Sequence, residues 1–166
     1  MLRFLLVMLL MFLSLSPVGA MSNLPATSSG QGSAKPALDV TLPRSDGTSA
    51  SLMSARQGGK AILIFWATWC PHCREELERI NQLLPQMEEK GIKIILVNVG
   101  ESREEINAYF ERRQINLISF MDEENVLQEP YDLVGIPTVV FVSAEGNILS
   151  SSHEIPSDFD AIFTGV

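Results

Sequence analysis

The chain has 166 residues, enough for one domain with a sizeable core once its N-terminus is set aside. Its net charge is −8 at neutral pH, and it has no basic cluster larger than Arg112-Arg113, which excludes nucleic acid and anionic membrane as partners. The acid is spread along Glu75–Glu89, Glu101–Glu111 and Asp122–Glu129, where helical faces are expected to meet water and the charge to serve solubility.

Met1-Leu2-Arg3 is a short basic start, Phe4–Leu13 is wholly apolar, and Ser14, Ser16 and Pro17 break the run before the small residues Val18-Gly19-Ala20. This pattern predicts a secretory signal peptide over residues 1–20, cut after Ala20. The apolar run falls short of the ~20 residues of a spanning helix, so cleavage is expected rather than retention as an anchor. No cysteine lies near the cut to carry a lipid. Residues 21–36, rich in Ser, Gly, Ala and Pro, read as a flexible linker, and residues 37–166 as the folded domain.

Within that domain Leu38–Leu42 alternates like a strand, Asp46-Gly47 marks a turn, and Thr48–Leu52 is the expected partner strand. Ala61–Trp66 is a continuous apolar run suited to a strand buried on both faces. From Pro71 the period becomes helical, with Cys73, Leu77, Ile80, Leu84 and Met87 on one face. Pro85 is expected to kink this helix or split off its last turn, and Gly91 to stop it. Ile92–Val99 reads as a second buried strand. Ser102 and Glu105 form a capping box for a helix through Arg113, with Ile106, Tyr109 and Phe110 inward. Leu117–Met121 is a short strand and Asp122–Tyr131 a helical turn or two. Thr138–Val142 and Asn147–Ser151 flank the turn Ala144-Glu145-Gly146, and Ser157 is placed to cap a brief last helix to Phe163. Strand–helix alternation closed by a hairpin predicts an α/β fold with a mixed sheet.

Both cysteines of the chain stand in Trp69-Cys70-Pro71-His72-Cys73, where the first buried strand gives way to the long helix. Pro71 suits the first helical position, where its missing N–H costs nothing, and this leaves Cys70 at the N-cap. Unpaired N–H groups and the positive end of the helix dipole favour a thiolate there. Cys70 is therefore expected to be exposed and low in pKa, and Cys73, one turn inward, to be shielded: an attacking and a resolving sulfur. A bridge enclosing two residues constrains the unfolded chain little, so the catalytic reading outweighs the structural one. His72 is placed to stabilise the Cys70 thiolate by charge or hydrogen bonding, which would make the disulfide more oxidising. His153, past the last strand, reads as a surface residue.

Phe65-Trp66-Ala67-Thr68-Trp69-Cys70-Pro71-His72-Cys73, followed about sixty residues later by Gly135-Ile136-Pro137-Thr138, resembles the thioredoxin superfamily. The hairpin before the first core strand and the helix–strand segment Ser102–Met121 resemble the exported TlpA/ResA branch. The resemblance covers roughly Leu38 to Ile148. It implies a thioredoxin-like fold: a central mixed sheet flanked by helices, with an N-terminal hairpin and a central helix–strand insertion. It also implies a cis Pro137 facing the dithiol, an Ile136 backbone that pairs with an extended substrate strand, and a Trp69 that offers substrates an apolar platform, while Trp66 packs in the core.

Two departures stand out. Thioredoxins themselves hold a buried Asp where this chain has Ile64, so proton transfer to the buried thiol needs another group. Glu76, three residues after Cys73, matches an acidic position of the ResA-type branch; its alternative is an ordinary exposed helix glutamate. The Pro-His dipeptide between the cysteines resembles the strongly oxidising DsbA.

The expected function is an exported, periplasmic or extracytoplasmic thiol–disulfide oxidoreductase. Cys70 and Cys73 would be catalytic, His72 and Glu76 would tune their pKa values, and Trp69, Ile136 and Pro137 would bind substrate. The partners would be cysteine-containing protein substrates and a redox partner, with a membrane-bound electron donor among the candidates. No soluble cofactor and no metal are needed, because the cysteine pair is the redox couple. The scaffold leans to reductase and the dipeptide to a DsbA-type oxidant. Two other classes stay open: a Cu(I) carrier using both thiolates and His72, and a peroxiredoxin-like peroxidase, whose Pro-x-x-x-Thr-x-x-Cys pattern is absent here.

Overall fold

The computed structural model describes residues 35–165; the expected signal peptide and all but the last residues of the linker lie outside them. The chain is already engaged at Lys35 and Pro36. Ile148 N–H donates to the Lys35 carbonyl at 2.8 Å, and Pro36 bridges to Asn147.

Strands β1 (Thr41–Pro43) and β2 (Ser49–Ser51) form the expected antiparallel hairpin, shorter than its alternation implied. Gly47 turns it at a φ of 88°, and Asp46 Oδ1 accepts from Thr48 N–H at 3.0 Å. A 3-10 turn, Ser54–Arg56, leads into β3 (Lys60–Trp66). Then follow α1 (Pro71–Glu89), β4 (Ile92–Val99), α2 (Arg103–Arg113), β5 (Ser119–Asp122), β6 (Thr138–Val142), β7 (Ile148–Ser152) and α3 (Phe159–Ile162). The five long-range strands lie in the order β5-β4-β3-β6-β7. β3, β4 and β5 are parallel, joined through α1 and α2, while β6 runs antiparallel to β3 and β7 antiparallel to β6. The mixed sheet predicted from sequence is present.

Alternation along β3 sets the two faces. Ile62, Ile64 and Trp66 join Leu77 and Ile80 of α1, Ile106 and Phe110 of α2, and Phe159 of α3 in one cluster. Ala61, Leu63 and Phe65 join Leu42, Leu52, Leu127 and Tyr131 in the other. All three α-helices thus pack on one face, and the hairpin and the turns around Leu127–Tyr131 cover the second. Ser45 N–H donates to the Ser119 carbonyl at 2.8 Å, so the hairpin also shields part of the β5 edge.

Three local expectations are corrected. α1 runs unbroken through Pro85. The amide that Pro85 lacks would have bonded the carbonyl of Asn81, and both residues lie on the exposed face, where water can take its place. Asp122–Tyr131 forms turns rather than helix, because buried Asp122 accepts from Val126 N–H at 2.9 Å and Leu127 N–H at 3.0 Å and ties the backbone into a compact loop. Finally, the N-cap of α3 is Asp158, with no side-chain cap bond, so Ser157 does not cap it. The Ser102–Glu105 capping box is complete in both directions.

The two serines should therefore respond differently to truncation. Ser102→Ala should cost about 1 kcal/mol in urea unfolding, and Ser157→Ala should leave the midpoint in place; a midpoint unmoved by Ser102→Ala would show that the box carries no stability.

Candidate active site

Register puts the ends of three strands and the start of a fourth side by side. Trp66 pairs with Asn98, Val99 with Asp122, and Phe65 with Thr138. The segments leaving β3, β4 and β5 and the one entering β6 therefore gather at one end of the sheet, where α/β folds place their sites.

The first of them delivers the dithiol. Cys70 is the N-cap of α1 with extended backbone (φ −83°, ψ 113°), and Pro71 occupies the first turn. Cys70 Sγ accepts a hydrogen bond from Cys73 N–H at 3.2 Å, and the two residues are joined as a disulfide with Cα atoms 5.3 Å apart. The N-cap expectation holds; the exposure expectation does not. Cys70 is 4% exposed and Cys73 1%. Cys70 is covered because the segment entering β6 closes over the start of α1, bringing the Ile136 carbonyl oxygen to 3.6 Å from Cys70 Sγ. The Ile136–Pro137 peptide bond is cis, as the resemblance implied. Thr138 Oγ1 donates to the Gly135 carbonyl at 2.6 Å and closes the turn around it.

Trp66 is fully buried, with its indole N–H on Ser119 Oγ at 3.1 Å and its ring stacked on Phe110. Trp69 is 67% exposed. It borders an apolar groove of about 430 Å³ with Val99, Leu133, Val134 and Ile136. On the other side of Ile136 and Pro137 lies a second groove, of about 410 Å³, bordered by His72, Glu75, Glu76, His153 and Glu154.

His72 is highly exposed, its Nδ1 3.6 Å from Glu75 Oε2, and among the described hydrogen bonds none joins it to either sulfur. Glu76 is not the ordinary exposed glutamate of the alternative reading. It is 7% exposed, and its Oε1 accepts from Ile155 N–H at 2.8 Å and from Arg79 at 3.1 Å. Ile64, where thioredoxins hold Asp, is buried in the same cluster as both cysteines. Burial raises the pKa of Tyr109, which packs on Trp66, and keeps it a neutral phenol.

Two residues of the site escaped the sequence. Glu101, counted among the solvent-facing acids, is 6% exposed. Its Oε2 accepts from Thr68 N–H at 2.7 Å and from Asn98 Nδ2 at 2.6 Å, and its Oε1 accepts from the Thr68 hydroxyl. It thus holds the loop between β3 and Cys70. Its position just past a buried parallel strand was the available signal. His153, read as surface, places Nδ1 2.8 Å from the Pro137 carbonyl oxygen, a contact that only strand register reveals. Among the described residues no group of three or more His, Cys, Asp or Glu side chains is gathered to hold a metal ion, and no helix is long and apolar enough to cross a membrane.

Residues 34–151 match the AhpC/TSA family. The chain belongs to that family. It is 28% identical over 96 residues to the thiol-disulfide oxidoreductase ResA of Geobacillus kaustophilus, covering 58% of this chain and 55% of that one. To ResA of Bacillus subtilis it is 27% identical over 97 residues, or 58% and 54%. The chain thus spans little more than half the length of these relatives. A thiol:disulfide interchange protein of the thioredoxin family from Chlorobium tepidum superposes with a TM-score of 0.66 at 25% identity, over 80% of this chain and 95% of that one. StoA of Bacillus subtilis has the same fold, with a TM-score of 0.60 at 21% identity. The thioredoxin-like fold and the likeness to the ResA branch are thereby shown; none of these matches bears on the DsbA-like dipeptide.

Glu101→Ala would leave the Thr68 N–H and the Asn98 side-chain amide without their acceptor. It should lower stability by about 1–3 kcal/mol, read as a shift in the urea midpoint; an unmoved midpoint would show that the loop holds without it.

Proposed function

We propose that the protein is an exported thiol–disulfide oxidoreductase acting on cysteine-containing protein substrates, and that it works as a reductase. The observation that carries this reading is the capped disulfide: a sulfur that accepts a helix N-terminal amide, beside a backbone carbonyl that an extended chain can reach. The amide and the helix dipole stabilise negative charge on Cys70 Sγ when the bridge opens.

In the reducing direction the Cys70 thiolate attacks one sulfur of a substrate disulfide. An S–S bond forms between Cys70 and substrate, and the substrate's other sulfur leaves as a thiolate. Cys73 then loses its proton, attacks Cys70 Sγ and expels the second substrate sulfur. Two electrons have passed to the substrate, and the Cys70–Cys73 disulfide is regenerated. Glu76, one turn beyond Cys73 and buried, is the proposed acceptor of the Cys73 proton. Trp69, Ile136 and Pro137 are the proposed docking surface, with Ile136 offering backbone hydrogen bonds. A redox partner must supply the two electrons that reopen the bridge, and export from the cytoplasm rests on the signal-like residues 1–20.

The oxidant reading draws on Pro71-His72. A carboxylate beside His72, with both side chains in water, offsets the charge that an imidazolium would lend to Cys70, which favours the reductase. A peroxidase of the Pro-x-x-x-Thr-x-x-Cys kind would need Pro and Thr where this chain has Leu63 and Ala67.

Two measurements test the proposal. Cys73→Ser should accumulate a mixed disulfide with insulin, detected by mass spectrometry, whereas Cys70→Ser should form none; trapping through Cys73 instead would reverse the roles. The couple's potential in a thiol redox buffer should lie closer to the thioredoxin value of about −270 mV than to the DsbA value of about −120 mV. His72→Ala should shift it by less than about 30 mV; a larger shift would restore the oxidant reading.

A further inference from the structure

Pro137 gives its carbonyl to a side chain where a strand would normally offer an amide. The β6–β7 ladder ends at the pair Val139–Ser152, so Thr138 and Pro137 on one strand, and His153 and Glu154 on the other, lie just past it. There His153 Nδ1 stands 2.8 Å from the Pro137 carbonyl oxygen. A carbonyl only accepts, so Nδ1 carries the hydrogen, as it does in both the Nδ1–H tautomer and the imidazolium. The bond does not require a charged ring.

The consequence lies one residue away. The ring of Pro137 fixes its φ, which leaves ψ as its soft torsion, and a hydrogen bond on the carbonyl pins that torsion. Ile136, immediately before it, carries the carbonyl that stands 3.6 Å from Cys70 Sγ. His153 itself is exposed and makes no described hydrogen bond to a sulfur. We infer that His153 is a positioning residue for substrate docking: by holding the Pro137 carbonyl it fixes the Ile136-Pro137 edge against which a substrate strand pairs beside Cys70. This inference rests on the thiol–disulfide reading and adds to it a residue that acts on docking rather than on sulfur chemistry.

The test compares a substrate that needs the edge with one that does not. Steady-state insulin reduction reports docking; reaction of the reduced protein with 4,4′-dithiodipyridine, a disulfide with no backbone, reports Cys70 alone. His153→Leu removes the donor, and His153→Asn returns an N–H near the place of Nδ1. His153→Leu should raise KM for insulin about fivefold with kcat little changed, the effect of one lost hydrogen bond. The dithiodipyridine rate should not move, and His153→Asn should recover most of the KM. An unchanged KM, an equal loss with the small disulfide, or no recovery with Asn would each overturn the inference. Absence of insulin turnover by the wild-type protein would overturn the parent reading and this one with it. Normal turnover with an indifferent His153→Leu would overturn this one alone.

Discussion

Cys70 Sγ accepts the amide of Cys73, one of the N–H groups that a helix start leaves without a partner. Most of the site follows from that bond. To cap α1, Cys70 must leave the helix with extended backbone, and it does so at the end of a turn that its own N–H closes on the Ala67 carbonyl at 3.3 Å, just past β3. Pro71 then occupies a position where no amide is wanted. Cys73 is carried one turn inward, into the buried cluster that also holds Ile64 and Leu77. β6 runs antiparallel beside β3, so the chain entering it must come back past the same helix start, and the Ile136 carbonyl arrives over the sulfur. Strand order and one cap thus bring together groups 66 residues apart.

The loops around this junction are held by carboxylates. Glu101 takes the Thr68 amide ahead of Cys70, Asp122 takes two amides after β5, and Glu76 takes the Ile155 amide before α3. All three are buried. A carboxylate is suited to this task because a charge-assisted bond to an amide is stronger than a neutral one and a single group can accept several donors. Part of the acid in this chain therefore organises backbone rather than serving solubility.

That division explains what the sequence disclosed. β3, β4, α2 and β6 were legible because their side-chain periods are fixed by burial, and the Ser102 box because its spacing is local. The cysteine cap was legible for the same reason, since Cys70, Pro71 and Cys73 meet within one turn. Glu101 and His153 were not. Each bonds to backbone whose place depends on strand register, and a glutamate in water has the same local pattern as one that grips a loop. The shielding of Cys70 was missed likewise, because its cover comes from Ile136. Pro85 misled in the opposite sense: it does not split off the last turn of α1, since on that exposed face water can take the carbonyl its ring leaves without an amide.

The Ile136-Pro137 segment also separates two unlike surfaces. On the Trp69 side the chain offers aromatic and aliphatic area, with Val134 92% exposed. On the α1 side it offers two imidazoles and three carboxylates. The second surface is not free to drift in composition. Glu76 there holds Ile155, and His153 holds Pro137, so two of its members carry backbone that the site requires. On the apolar side only Asp122 has such a duty, while Trp69 and Val134 project into solvent and can change with the substrate. Fitting this scaffold to a new partner should therefore proceed through the Trp69 groove, while the acidic groove stays tied to the geometry of the dithiol.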